Sequence, residues 1–231
     1  MPKIFIPKSL TLFLAAIMLL LVACANNNKK YADAYYEQGL VFYKSMEYDR
    51  SIDDFTKALE INPKDKENHK VYYMRGRSHM GNRQYKEAVN DFTKALEICP
   101  DTDKATKFSI IESRGNAYHV LNKNEAALKD FSDAIALNPR HKNIKYVYNN
   151  RGWIRQGKQD YEKAIKDYYA ALTIDPAFAP SYYGRASAYS KSGNLPRAIE
   201  DAKEALRLDP ENKKYDDLLF ELRSKMKKKK E

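Results

Sequence analysis

In a chain of 231 residues, the two cysteines Cys24 and Cys99 are too few for a disulfide framework. The net charge of +10 invites a nucleic-acid reading, but half or more of it lies at the two ends. Lys3 and Lys8 sit in the first segment, five lysines and Glu231 crowd into residues 225–231, and without these ends the balance is +4 with both signs mixed. A nucleic-acid partner is therefore not expected.

The N-terminal segment pairs a positive region (Lys3, Lys8) with an uncharged, apolar run from Leu10 to Ala23. That is the pattern of a secretory signal, and the run is shorter than the roughly 20 residues that span a bilayer core. Leu21-Val22-Ala23-Cys24 resembles the lipobox of bacterial lipoproteins. The resemblance implies a signal peptide over residues 1–23, cleavage before Cys24 and acylation of Cys24 with palmitate-type chains. Each buried CH2 of such a chain contributes about 0.8 kcal/mol, so more than one chain anchors stably. A plain signal peptide and an uncleaved helix are the other readings of the same run. With Ala25 after the cysteine, the resemblance implies the outer membrane, facing the periplasm, if two membranes are present. Residues 24–31 then form the lipidated cysteine and a polar tether of at most about 3.6 Å per residue. Without a second thiol to join, Cys99 cannot close an intrachain disulfide and is expected to be inert.

Beyond the tether two kinds of segment alternate. "YYEQGLVFY", "YYMRGRSHM", "IESRGNAYH", "YNNRGWIRQ" and "YYGRASAYS" are each followed by a second segment: "SIDDFTKALEINP", "AVNDFTKALEICP", "AALKDFSDAIALNP", "AIKDYYAALTIDP" and "AIEDAKEALRLDP". This succession resembles the tetratricopeptide (TPR) repeat. The resemblance implies an all-α, right-handed TPR superhelix of five helix-turn-helix repeats, at 32–65, 69–102, 108–141, 145–178 and 179–212. A C-terminal capping helix and basic tail follow over 213–231, with Leu218, Leu219 and Leu222 as the apolar stripe. Gly39, Gly76, Gly115, Gly152 and Ala186 let the first helix of each pair approach the second. Phe55, Phe92, Phe131 and Tyr168 fill the space between the helices, and the prolines end the second helices.

Arg75, Arg114, Arg151 and Arg185 precede the small residue in four repeats, where the first repeat has Gln38. Asp54, Asp91, Asp130, Asp167 and Asp201 precede the core position of each second helix. The missing arginine in the first repeat suggests pairing across junctions: Asp54–Arg75, Asp91–Arg114, Asp130–Arg151 and Asp167–Arg185.

No phosphate loop, nucleophile elbow or H-E-x-x-H motif occurs, and no two of His69, His79, His119 and His141 are four residues apart. No enzyme activity, catalytic residue, metal or cofactor is expected. In TPR proteins the first helices line a concave groove, and the resemblance places Tyr36, Tyr43, Tyr73, Arg77, Asn116, Asn149, Asn150, Trp153 and Tyr183 there, with Leu40, Met74, Glu112, His119, Tyr146 and Ser187 beside them. Trp153, the one tryptophan, is expected to expose its ring as a hot spot with Asn149 on the same face. TPR co-chaperones that bind C-terminal carboxylates use a clamp of three basic residues and two asparagines. Asn116 and Asn150 match it, but Glu112, Pro180 and Gly184 stand where basic members would be, which argues against that ligand.

The expected function is a membrane-anchored, non-catalytic adaptor of the bacterial cell envelope. It would bind a peptide-like segment of an envelope protein across repeats two to five. A pilotin-like assembly factor for a pilus or secretion pore, or a regulatory subunit of an envelope protease or cell-wall hydrolase, remain alternatives.

Overall fold

The computed structural model describes residues 27–228; the segment expected as a signal peptide, Cys24 and the last three residues lie outside the described residues. All regular structure among the described residues is helical. The chain divides into two compact units, Met1–Cys99 and Pro100–Glu231. The first holds α1 (residues 27–44), α2 (Tyr48–Ile61), α3 (Asn68–Gly81) and α4 (Tyr85–Ile98). The second holds α5 (Lys104–Val120), α6 (Asn124–Leu137), α7 (Ile144–Gly157), α8 (Tyr161–Ile174), α9 (Ala179–Lys191), α10 (Leu195–Leu208) and α11 (Lys213–Lys228). Residues 27–31, expected as tether, are helical instead, and the Lys29 ammonium bonds the Asp65 carboxylate at 3.1 Å.

In the first four pairs the helices join because a glycine of the first meets an aromatic ring of the second. A Cβ on Gly39 would lie 2.7 Å from Phe55, on Gly76 2.7 Å from Phe92, on Gly115 2.8 Å from Phe131 and on Gly152 2.8 Å from Tyr168. Real Cβ atoms do not approach so closely, so these positions exclude any side chain. All four rings are 0% exposed. Burial pushes the Tyr168 phenol far above its ordinary range. Its hydroxyl lies 3.3 Å from Gln156 Oε1. Within each unit, successive pairs then pack side by side. Phe55, Ala58 and Val71 join α2 to α3 in one cluster, and Ala186, Ala198, Ala202, Leu219 and Leu222 join α9 and α10 to α11.

The turn inside each pair repeats as well. The residue seven after the small position has positive φ in every case: Met46 (61°), Arg83 (60°), Asn122 (58°), Gln159 (63°) and Gly193 (89°). Only the fifth pair uses glycine for this left-handed conformation, which costs other L-residues roughly 1–2 kcal/mol. Asp103, Asp160 and Asn194 cap α5, α8 and α10 by accepting from the backbone N–H of Thr106, Lys163 and Arg197.

The arginine–aspartate pairs form within repeats and not across junctions, which overturns the expected pairing. Arg75 donates through Nε and Nη2 to Asp91 at 2.8 and 2.7 Å, and Arg114 to Asp130 at 2.8 and 2.8 Å. Arg151 bonds Asp167 at 2.7 Å and Arg185 bonds Asp201 at 2.7 Å. The reason is register: each pair is separated by 16 residues, as are the glycine and the ring, so the residues just before these two face each other. The aspartate-to-arginine spacing across junctions varies, so it follows no single interval as the within-repeat pair does. The arginines still reach the preceding pair: Arg75 Nη1 donates to Thr56 Oγ1 at 3.0 Å, and Arg151 Nη1 to Ser132 Oγ at 3.1 Å. Burial alone would lower the Arg75 and Arg185 guanidinium pKa, but the bonds and charges of Asp91 and Asp201 hold both above the ordinary value.

Two glycine substitutions should have opposite signs. Gly115→Val forces an atom into Phe131 and should cost about 1–3 kcal/mol in chemical denaturation. Gly157, with nothing within 4 Å of its Cβ direction, should gain about 0.4–1 kcal/mol on change to Ala. For the ion pairs, Arg185→Met should cost about 3 kcal/mol by leaving buried Asp201 without its partner. A double-mutant cycle with Asp201→Asn should return at least about 1 kcal/mol of the summed loss; strict additivity would show that the pair is not coupled.

Candidate functional site

In the first unit the expected groove residues gather on α1 and α3. Tyr36 leans on Phe55 with ring centroids 5.7 Å apart, and Tyr73 leans on Phe92 at 6.0 Å. The Arg77 guanidinium lies 4.9 Å from the Tyr43 ring centroid and 5.8 Å from that of Tyr73, so it links the two helices by cation–π contact. All four side chains are half-buried. Burial, and then the Glu37 charge, push the Tyr36 phenol up. Beside Tyr36 opens a cavity of about 320 Å³, floored by Ala32, Ala58 and Val71 and rimmed by Asp33 and Glu37. That volume is at the low end for ligand sites.

In the second unit α5, α7 and α9 bring their residues together through amides. Asn150 Nδ2 donates to Asn116 Oδ1 at 2.9 Å, Asn149 Nδ2 lies 3.3 Å from Asn150 Oδ1, and Ser181 Oγ donates to Asn149 Oδ1 at 3.0 Å. The Trp153 ring lies 5.8 Å from Tyr183, which in turn lies 5.1 Å from Tyr215 on α11. Asn150 and Trp153 are three residues apart on α7 and so share a face.

Two features differ from expectation. Trp153 does not expose its ring but is half-buried: it meets Tyr168 edge-on at 5.9 Å and packs against the cluster of Ala164, Tyr168 and Ala188. The indole of Trp153 is large enough to reach the core of its own pair while keeping one edge on the face. Asn149 is only 7% exposed, with its amide engaged by Ser181 and Asn150. It therefore braces Asn150 and is not presented to a ligand. Sequence reasoning did not single out Ser181, Gln156 or Tyr215. Gln156 joins α7 to α9 by donating to Ser187 Oγ at 3.1 Å. No spacing signal marks these partners, because they meet across helix pairs.

The side chains on both faces are phenols, amides, an indole and a guanidinium. They bond, stack and hold charge; none is arranged as a nucleophile beside a base. His79 has Nε2 3.6 Å from the Asp91 carboxylate and Nδ1 2.6 Å from Gln84 Oε1, a packed histidine at the edge of an ion pair. Cys99 is buried. Among the described residues no helix is long and apolar enough to cross a membrane.

Comparison with known proteins gives a consistent result. The chain is similar to a DnaJ homolog subfamily C member 7 homolog of Dictyostelium discoideum, 33% identical over 106 residues, covering 44% of this chain and 20% of that protein. It thus spans a fifth of the relative's length. Among solved structures, a tetratricopeptide repeat protein from Parabacteroides merdae superposes with TM-score 0.74 at 20% identity, covering 86% of this chain and 75% of the other. YrrB, described as a TPR protein with an unusual peptide-binding site, superposes with TM-score 0.66 at 22% identity, covering 84% and 94%. These structures share the fold. Family models of the tetratricopeptide repeat match residues 32–65, 69–102, 146–178 and 179–212, together more than half of the sequence, and the chain belongs to the tetratricopeptide repeat family, whose repeats serve as non-catalytic scaffolds for protein–protein interaction.

Proposed function

We propose that this protein is a lipid-anchored adaptor of the bacterial cell envelope that holds an extended peptide-like segment of another envelope protein. The face formed by Asn116, Asn150, Trp153 and Tyr183 is the observation that carries the binding half of this reading. An extended peptide has unpaired backbone N–H and C=O groups, and paired amides can exchange their mutual bond for bonds to that backbone. The indole edge and the Tyr183 ring then cover an apolar side chain of the ligand. Aromatic rings seated in packed surroundings are the usual energetic anchors of such contacts. A peptide-binding site in YrrB supports the same use of this fold.

The anchoring half rests on the Leu21-Val22-Ala23-Cys24 segment. Cleavage before Cys24 and its acylation would hold the repeats near the bilayer, with the outer membrane, facing the periplasm, as the location in an organism with two membranes. Confinement to a surface raises the effective concentration of the adaptor for envelope partners, so modest affinity suffices.

Each half has its own test. Cys24→Ser should leave an uncut precursor or release the protein from the membrane fraction; unchanged size together with unchanged membrane retention would sink the lipid anchor. For the groove, the single tryptophan makes its fluorescence a direct report on the site. Addition of solubilised envelope fraction to the purified protein should shift Trp153 emission to the blue, read as the difference from a Trp153→Phe sample given the same fraction. Trp153→Ala should weaken capture of the partner by at least about 2 kcal/mol. It should also cost about 2 kcal/mol of stability, less than the roughly 3–5 of a fully buried ring. An unresponsive emission with unchanged capture by the variant would place the site elsewhere.

A further inference from the structure

Every helix pair after the first in its unit covers a stripe on its leading helix. On α3 the stripe is Asn68, Val71, Arg75 and Ser78; the three uncharged members are 4%, 9% and 0% exposed. They lie against α2: Ser78 and Ser51 share a 2.9 Å hydrogen bond, and Asn68 Nδ2 donates to the Asn62 carbonyl at 2.8 Å. On α7 the same positions are Ile144, Val147, Arg151 and Ile154, with the apolar three at 2%, 0% and 2%. On α9, Ser181 and Ala188 are 0% exposed on either side of Arg185.

The counterparts on α1 are Tyr31, Ala34, Gln38 and Val41. Tyr31 is 61% exposed and Val41 59%, so the stripe has no cover among the described residues. An open face of a repeat stack is normally polar; here Tyr31, Ala34 and Val41 stand on it beside Gln38. Behind it sits Asp54, the counterpart of Asp91, Asp130, Asp167 and Asp201. It is 5% exposed. With Gln38 in place of arginine, among the described residues its Oδ1 has only the Lys57 ammonium at 3.4 Å and its Oδ2 has no hydrogen-bond partner. A buried carboxylate oxygen without a partner is costly, and a matching donor brought to it gains correspondingly.

We propose that the outer stripe of α1, with Asp54 behind it, is a docking surface for a helix of a partner protein that carries an arginine within an apolar stripe. The apolar residues of the incoming helix would cover Tyr31 and Val41. Its arginine would supply the guanidinium that the first repeat lacks. Within each unit, the helix before Arg75 and the helix before Arg151 approach the arginine through the residue after their core ring, Thr56 and Ser132. An arginine at that place on a foreign helix is positioned to reach Asp54. Arginine fits better than lysine because its planar fork matches a carboxylate, as in the other four repeats. This surface shares no residue with the Trp153 face, so the two stand or fall separately.

The test uses the full chain, purified in detergent, and a lactam-bridged helical peptide with the α6 sequence, residues 124–137, carrying Ser132→Arg. The unchanged sequence is the control. Fluorescence anisotropy should show the arginine peptide binding at least tenfold more tightly than the control. Gln38→Arg, which closes Asp54 from within, should abolish that preference and raise the melting temperature; Asp54→Asn should abolish the preference while leaving the helix content unchanged. Equal binding of the two peptides, no binding of a peptide whose helicity circular dichroism confirms, or an undiminished preference in Gln38→Arg would each overturn the proposal.

Discussion

The contact between a bare helix backbone and an aromatic ring, sixteen residues apart in sequence, sets the geometry of each helix pair from the second to the fourth, and in the first it does so alone. Gly76 against Phe92, Gly115 against Phe131 and Gly152 against Tyr168 bring the helices so close that no other residue fits. The residues next to them are thereby fixed in register. Arg75 and Asp91, Arg114 and Asp130, Arg151 and Asp167 meet because their neighbours do. The ion pair follows from the packing, and it is costly to break because the packing buries it.

Arg75 and Arg151 also tie their pair to the one before it within the same unit, through a single extra donor. Two guanidinium nitrogens serve the aspartate, and a third reaches the preceding helix at Thr56 or Ser132. A pair that lacks the arginine has both an unsatisfied aspartate and a looser claim on whatever lies before it. The first pair is in that position, and its leading helix exposes the residues that other pairs cover. An interaction surface can therefore arise from an ordinary stacking face left open, without a specialised site.

The face that is proposed to bind peptide has a different origin. On the second unit it consists of polar groups that satisfy one another in the unliganded chain: Asn116 with Asn150, Asn150 with Asn149, Asn149 with Ser181. Such a chain is stable without ligand, and its outer members can still exchange partners with an incoming backbone. The half-buried Trp153 adds rigidity, because an indole held by Tyr168 and Tyr183 loses little freedom on binding.

The sequence by itself determined the helix-turn-helix repeats, their family and the identity of the core rings, because glycine, alanine, phenylalanine and proline recur in the pattern that resembles the tetratricopeptide repeat. The resemblance also marked the leading helices as the place to look for a binding face, with Tyr36, Tyr73, Asn116, Asn150 and Tyr183 on their outward positions. Pairing partners were legible only within a fixed register: the sixteen-residue interval joins arginine to aspartate, while an absence in the first repeat pointed to the wrong junction. The left-handed turn at Met46, Arg83 and Gln159 left no trace, because these residue types do not announce positive φ, whereas Asn122 and Gly193 are residues that adopt it readily. Only the tertiary structure decided that Asn149 is a buried brace, that Trp153 has one side in the core and that Asp54 keeps an open oxygen. Each depends on what the neighbouring helix places opposite it, and a side chain's own position along the chain does not encode that.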